Sequence, residues 1–310
     1  MVNKTMWFLF AICTTLIWGL AEFFYKRGAR PEEKYAHLKT CIFVGAVMGI
    51  HAVVTLCTGD FRYDPVNLIR YLPVSLLYIV SMACSFFGMR FIEESISDPL
   101  ENTSGAICTV LCVVILGDTI TVPSVAAIVL MVAGILGLGF LDQEGAEKRK
   151  KKMGSAMAVV AFAMPLVYAI LDAFGSFLDV FYLEDPAQSP LAGVTEENIE
   201  LVANTSYELT FAFCAVLLFI YLKAKRVPLD LPHQKDKILA AVCETAGQFT
   251  YVYAMSRNGA LSAPVISSVC VVSLILSRLF LGEKLSRRQY LFIALTITGI
   301  IALSVIEGDG

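Results

Sequence analysis

The chain has 310 residues, 57% of them hydrophobic and 16% charged, with a net charge of −3. Soluble domains carry roughly a quarter charged residues, so this composition excludes an ordinary water-facing globule, and a mean hydropathy of +0.71 points to lipid as the solvent. The basic residues fall in short clusters between oily stretches, not in one patch, which excludes nucleic acid as a partner.

A helix needs about 20 mainly apolar residues to cross a bilayer. In chain order, ten stretches meet that need: 7–25, 36–56, 69–89, 98–117, 122–141, 154–178, 201–222, 238–257, 262–281 and 289–306. The first follows Lys4 and is not followed by a clean small-residue cleavage pattern, so it reads as a span and not as a leader. Unbroken runs of this length are helical in lipid. The expected fold class is therefore all-α integral membrane, with ten transmembrane helices.

Lysine and arginine concentrate after the odd-numbered helices: Lys26, Arg27, Arg30 and Lys34; Arg90; the run Lys148 to Lys152; Lys223 to Lys237; and Lys284 to Arg288. The opposite loops hold Lys4, Arg62, Arg70 and Arg257. Positive loops stay in the cytoplasm, which predicts both termini outside a cell (inner or plasma) membrane. The acidic segment 183–200 then lies on the outer side and reads as a solvated linker. Nine cysteines are scattered through the oily segments and read as small hydrophobes. Cys108 and Cys112 share a helix face, but with three histidines in the chain no ligand set assembles around them, and no metal or cofactor is expected.

The chain also repeats. A shift of 165 residues lays 86–142 on 251–307 without a gap, matching Ser97 with Ser262, Pro99 with Pro264, Leu116-Gly117-Asp118 with Leu281-Gly282-Glu283, and Gly134 with Gly299. Ser97 and Ser262 read as N-caps with proline in the first turn. The earlier parts match at a shift of 150, pairing Trp18 with Tyr168 and Glu22 with Asp172. Two five-helix units result: 1–142 and 153–310, joined by the basic linker 143–152. Because five is odd, the second unit enters the membrane from the other side, giving the inverted repeats of many alternating-access transporters.

Ile17-Trp18-Gly19, the Ser-x-Pro pairs at Ser97 and Ser262, and "LGEKLS" (Leu281 to Ser286) with its weaker twin "LGDTIT" (Leu116 to Thr121) make the chain resemble the EamA-like branch of the drug/metabolite transporter superfamily. The resemblance covers nearly the whole chain. It implies a five-plus-five inverted fold around a central cavity lined mainly by helices 1, 3, 4, 6, 8 and 9, with amino acids, other metabolites, organic cations or drugs as cargo.

An ionisable side chain in hydrocarbon costs about 2.5 to 3.5 kcal/mol on insertion scales, so the polar residues at depth are the candidate site. Trp18 and Tyr168 each precede an acid by four positions, Glu22 and Asp172, which puts ring and carboxylate on one helix face and suits an organic ammonium. Helix 4 reads Asp98-Pro99-Leu100-Glu101-Asn102 where the family pattern is small and apolar; Asp98 reads as a dipole partner, and Glu101 with Asn102 as lining. Helix 8 carries Glu244, Gln248 and Tyr251 as one polar stripe, opposite Tyr78 in helix 3. Helix 7 adds Asn204, Tyr207 and Glu208. His51 in helix 2 reads as a satisfied core histidine, with a proton relay as the alternative. Pro165 is expected to kink helix 6.

These residues predict an acidic cavity whose carboxylates either bind a cation directly or carry protons in exchange for it. The function read from them is gradient-driven secondary transport of a small metabolite, leaning toward amines, amino acids or other organic cations, with lipid, substrate and protons or another coupling ion as partners. A non-transporting receptor or scaffold is the alternative. An intramembrane enzyme is disfavoured, because no His-Glu-x-x-His or Gly-x-Ser-x-Gly pattern occurs, and no phosphate-binding loop occurs either.

Overall fold

The computed structural model describes residues 6–28, 33, 35–59, 61–88, 94–141, 155–280 and 285–308. Lys4, Arg30, Lys34, Arg90, the linker 143–152 with its basic run, and Leu281 to Lys284 lie outside the described residues. Among those described, every regular element is helical: α1 Met6–Gly28, α2 Ala36–Thr58, α3 Val66–Arg70, α4 Leu72–Gly88, α5 Glu94–Glu101, α6 Ser104–Leu111 with a wider turn over Cys112–Leu116, α7 Val122–Leu141, α8 Ser155–Leu183, α9 Ile199–Ala224, α10 Lys235–Ile266, α11 Val269–Phe280 and α12 Arg287–Gly308.

By length and polarity, six described segments can cross a membrane by themselves: α1, α2, Ser97–Leu116, Ala163–Leu183 in α8, α9 and the Arg287–Ile306 part of α12. The pair α10–α11 forms a further candidate bent by 46°, and α4 and Val122–Leu138 are shorter apolar helices.

Two expected spans differ in kind. Stretch 98–117 is interrupted at Asn102 and Thr103, between α5 and α6. Stretches 238–257 and 262–281 meet at Asn258, whose backbone is extended (φ −163°, ψ 77°), and the chain breaks again at Ser267 and Ser268. The two serines expected to cap helices do not. Ser97 lies inside α5, and the Ser262 hydroxyl donates to Ala254 O across the kink (3.1 Å). Asn258 takes the capping role instead, its Oδ1 accepting from Leu261 N–H (3.3 Å). The Leu-Gly-Asp motif has a backbone reason: Gly117 ends its helix at φ +81°, where a side chain is strained.

Helices pair along their length: α1 with α10, α2 with α9, α4 with α8, and α7 with α12. In α2, Gly45 and Gly49 let the backbone of α9 approach. A Cβ at Gly45 would stand 2.4 Å from Phe211 O and 2.6 Å from Ala215 Cβ, and one at Gly49 would stand 2.7 Å from Ala212 Cβ. Without water to drive apolar association, such close packing is what joins helices in lipid. Segment 184–198 is docked, not loosely solvated. Asn67, fully buried, exchanges two hydrogen bonds with Ala192 (3.1 and 2.7 Å), Arg70 donates to Pro190 O (2.8 Å), and Leu191 is buried.

The substitution Gly45→Leu is expected to force α2 and α9 apart and destabilise the fold by about 1 to 3 kcal/mol, as overpacking does. Thermal unfolding in detergent reads this as a midpoint several degrees lower; an unchanged midpoint contradicts the close contact.

Candidate functional site

Three helices present the same spacing to one cavity: Trp18, Glu22 and Tyr25 from α1; Tyr78, Met82 and Ser85 from α4; Glu244, Gln248 and Tyr251 from α10. Steps of four and three keep such residues on one helix face. From α8 come Tyr168, Asp172 and Ser176. The two interrupted segments close the cavity, one with Asp98, Glu101, Asn102, Ser104 and Gly105, the other with Ala263, Ile266, Ser267 and Val269. They meet at their breaks. Gly105 N–H donates to Ser267 Oγ (3.1 Å), and a Cβ on Gly105 would stand 2.4 Å from Ala263 O. Thr109 Oγ1 donates to Ala260 O (2.7 Å), the carbonyl that Pro264 leaves without its helical partner.

The cavity measures about 110 Å³. Its described lining includes five carboxylic acids, Glu22, Asp98, Glu101, Asp172 and Glu244, and no lysine, arginine or histidine. Glu101 Oε2 accepts from Ser85 Oγ (2.8 Å), Glu244 Oε2 accepts from Tyr25 OH (3.3 Å), and Trp18 Nε1 donates to Glu244 O (3.1 Å). Trp18 stacks on Tyr251 at 5.0 Å between centroids. Glu101 Oε1 and Gln248 Nε2 are buried with no hydrogen-bond partner among the described residues.

Nine of the ten residues expected from the sequence line this cavity: Trp18, Glu22, Tyr78, Glu101, Asn102, Tyr168, Asp172, Glu244 and Gln248. Asp98, expected only to serve the helix dipole, lines it too. Glu208 does not. It is fully buried on the α2 side of α9, bonded to His51 Nδ1 (2.8 Å) and Asn204 Nδ2 (3.0 Å). Tyr207, one position earlier and about 100° round the helix, takes the lining place. His51 is accordingly half of an ion-pairing couple with a partly exposed ring, not a core histidine.

Sequence reasoning missed Asp179. It is fully buried, accepts from Tyr71 OH and from Tyr78 OH (3.1 Å), and anchors a cluster in which Tyr78 OH meets Tyr251 OH (2.6 Å) and both tyrosines reach Ser176. This hydroxyl cluster separates the cavity from the end carrying segment 184–198. The signal was present as the series Tyr168, Asp172, Ser176, Asp179 on one face, but the expected span stopped at 178, short of its last member.

At the other end an ion cluster joins α1, α2 and α10. Glu33 accepts from Lys39 Nζ and from Lys237 Nζ (3.0 Å), Lys237 also donates to Gln234 Oε1 (2.6 Å), and Arg27 pairs with Asp236 (3.3 Å). Lys39 and Lys237 are buried. Burial alone would push the Glu33 carboxyl up, but the hydrogen bonds and charges of the two lysines outweigh it and hold the group below the usual carboxylate range.

The EamA-like transporter family matches residues 5–140 and 189–305. No curated protein matches the sequence. Among solved structures, one crystal structure of a protein superposes with a TM-score of 0.68 over 98% of each chain at 15% identity, a likeness of fold alone.

A carboxyl held below its unfolded value adds stability above that range and gives it up as pH falls through the lowered value. Glu33→Gln is therefore expected to lower the thermal midpoint at neutral pH, with the gap to the parent protein closing as pH drops through about 4. A gap that persists unchanged at lower pH contradicts the cluster's charge.

Proposed function

The chain belongs to the EamA-like transporter family, a family of drug/metabolite-type membrane transporters and not of enzymes, and we propose that it is a gradient-driven secondary transporter of a small cationic metabolite. The observation that carries the proposal is the cavity itself: five carboxylates, an aromatic wall and no basic side chain among its described lining, at the meeting point of two interrupted helices. Trp18, Glu22, Tyr78, Glu101, Asn102, Tyr168, Asp172, Glu244 and Gln248 are the proposed substrate and proton site. Carboxylates this close to one another need a counter-charge, which either a cationic substrate or protons supply. Exchange of the one for the other couples transport to a proton gradient.

The proposed architecture is ten spans in two inverted halves, 1–142 and 153–310, joined through 143–152. Two features support it. Exchanging each helix with its counterpart turns the α1–α10 pairing into the α8–α4 pairing and leaves α2–α9 and α7–α12 as they are. The breaks at 102–103 and 267–268 stand apart by the same 165 residues as the sequence repeat. Discontinuous helices at corresponding places in two repeats are the usual frame of a midplane binding site.

Alternating access then has a physical form. The Asp179 tyrosine cluster closes the end toward segment 184–198, the Glu33 cluster holds the opposite end, and each joins elements of different halves. Rocking one half against the other breaks one cluster while keeping the other. The lysine and arginine bias of the loops assigns the Glu33 end to the cytoplasm and both termini to the outside of the cell membrane.

Uptake into proteoliposomes of a labelled panel of amines, amino acids and organic cations tests the reading. A transporter accumulates at least one of them under an imposed pH gradient, and Glu22→Gln or Asp172→Asn lowers that flux by about ten-fold or more, as loss of a buried charged contact does, with the thermal midpoint retained. Absence of flux for the whole panel, or full flux in both variants, contradicts it.

A further inference from the structure

The same cavity restricts its ligand more narrowly than its acidity does, and the restriction rests on the transport-site reading above. Three properties of the walls decide it. The first is charge. A zwitterionic amino acid or a phosphate ester brings an anionic group that needs a cation or free N–H donors, and the described lining has no lysine, arginine or histidine to offer. The competing donor would be the start of α6, since a helix N-terminus binds anions. That end is already engaged: Gly105 N–H is given to Ser267 Oγ, and Asp98 and Glu101 stand within two turns before it. An added carboxylate would meet five others without a counter-ion.

The second property is the pair of buried atoms that the protein leaves without partners. Glu101 is 6% exposed and Gln248 3% exposed, both side chains line the cavity, and Glu101 Oε1 and Gln248 Nε2 find no hydrogen bond among the described residues. An unsatisfied buried carboxylate oxygen costs free energy until a donor arrives. A primary ammonium brings three N–H donors, as a lysine head does. A quaternary ammonium brings the same charge and none. The third property is size. The volume of about 110 Å³ equals roughly four water molecules at about 30 Å³ each, well below the roughly 300 to 1,000 Å³ of pockets for drug-sized ligands.

We propose that the cavity selects a compact primary amine without a carboxylate or phosphate, with Glu101 accepting from its ammonium and the Trp18–Tyr251 wall contacting its charge and short carbon chain. The restriction runs against two of the substrate groups that acidity alone admits: amino acids, for lack of a partner to their carboxylate, and quaternary cations, for lack of an N–H to satisfy Glu101. An ammonium near an aromatic face gains a further attraction beyond the ion pair.

Three probes matched in carbon count separate these requirements: n-butylamine, γ-aminobutyrate and tetramethylammonium. Binding is measured by calorimetry on the full-length protein in nanodiscs, so its outcome does not depend on flux. n-Butylamine is expected to bind about ten-fold or more tighter than either of the others. Glu101→Gln, which keeps shape and removes the charge, is expected to weaken n-butylamine by a similar factor, and Ser85→Ala, which frees the bonded oxygen of Glu101 instead, to leave the order of the three probes unchanged. Equal or tighter binding of γ-aminobutyrate or of tetramethylammonium, or no binding of n-butylamine, overturns the proposal. Selective n-butylamine binding without flux in the liposome assay would instead overturn the transport reading and leave the ligand class standing.

Discussion

Hydrocarbon offers no hydrogen bonds, so every polar group held at membrane depth has to be satisfied by the protein or by what the protein encloses. That constraint orders the rest of this structure. Two helices are interrupted where they meet, and the bonds the interruptions release are taken up across the contact: Ser267 receives Gly105 N–H, and Thr109 serves the carbonyl orphaned by Pro264. The stem helices are joined by close backbone approach, with Gly45 and Gly49 in α2 against α9. What these contacts leave unsatisfied is concentrated in one place, the carboxylate and amide atoms of the central cavity.

The two ends of that cavity are closed by different chemistry. Toward segment 184–198 the closure is a set of buried hydroxyls around Asp179, bonded from Tyr71 and Tyr78 and continued through Tyr251 and Ser176 into the cavity wall. At the other end it is ionic, with one glutamate between two buried lysines. Tyr78 and Tyr251 belong to both the hydroxyl cluster and the lining, so a ligand that touches the wall touches the closure as well. This shared membership is the physical route by which occupancy can bias one end against the other.

Much of this was legible in the sequence because it follows from helical spacing. Trp18 with Glu22, Tyr168 with Asp172, and Glu244 with Gln248 lie four apart, and the cavity collects each pair. Spacing also misleads when a neighbour is taken for an equal: Glu208 follows Tyr207 directly, and a rotation of about 100° carries it out of the cavity and onto His51. Asp179 was hidden by a span boundary, not by chemistry. The helix breaks were harder to read. Pro99 and Pro264 look like first-turn prolines, and only the tertiary contact between α6 and the end of α10 explains why the chain leaves the helix three residues after each of them, at Asn102 and Ser267. Segment 184–198 has the composition of a solvated linker, yet the buried side chain of Asn67, far away in sequence, fastens it.

The central claim is that one pocket between two halves is reached by water from either face in turn. Its most direct test is chemical access to a wall position in sealed vesicles. Met82→Cys, in a background with the native cysteines replaced, is exposed to a membrane-impermeant thiol reagent added to one side or the other. The account predicts modification from both sides and protection from both by a bound amine; modification from a single side, or none from either, contradicts it.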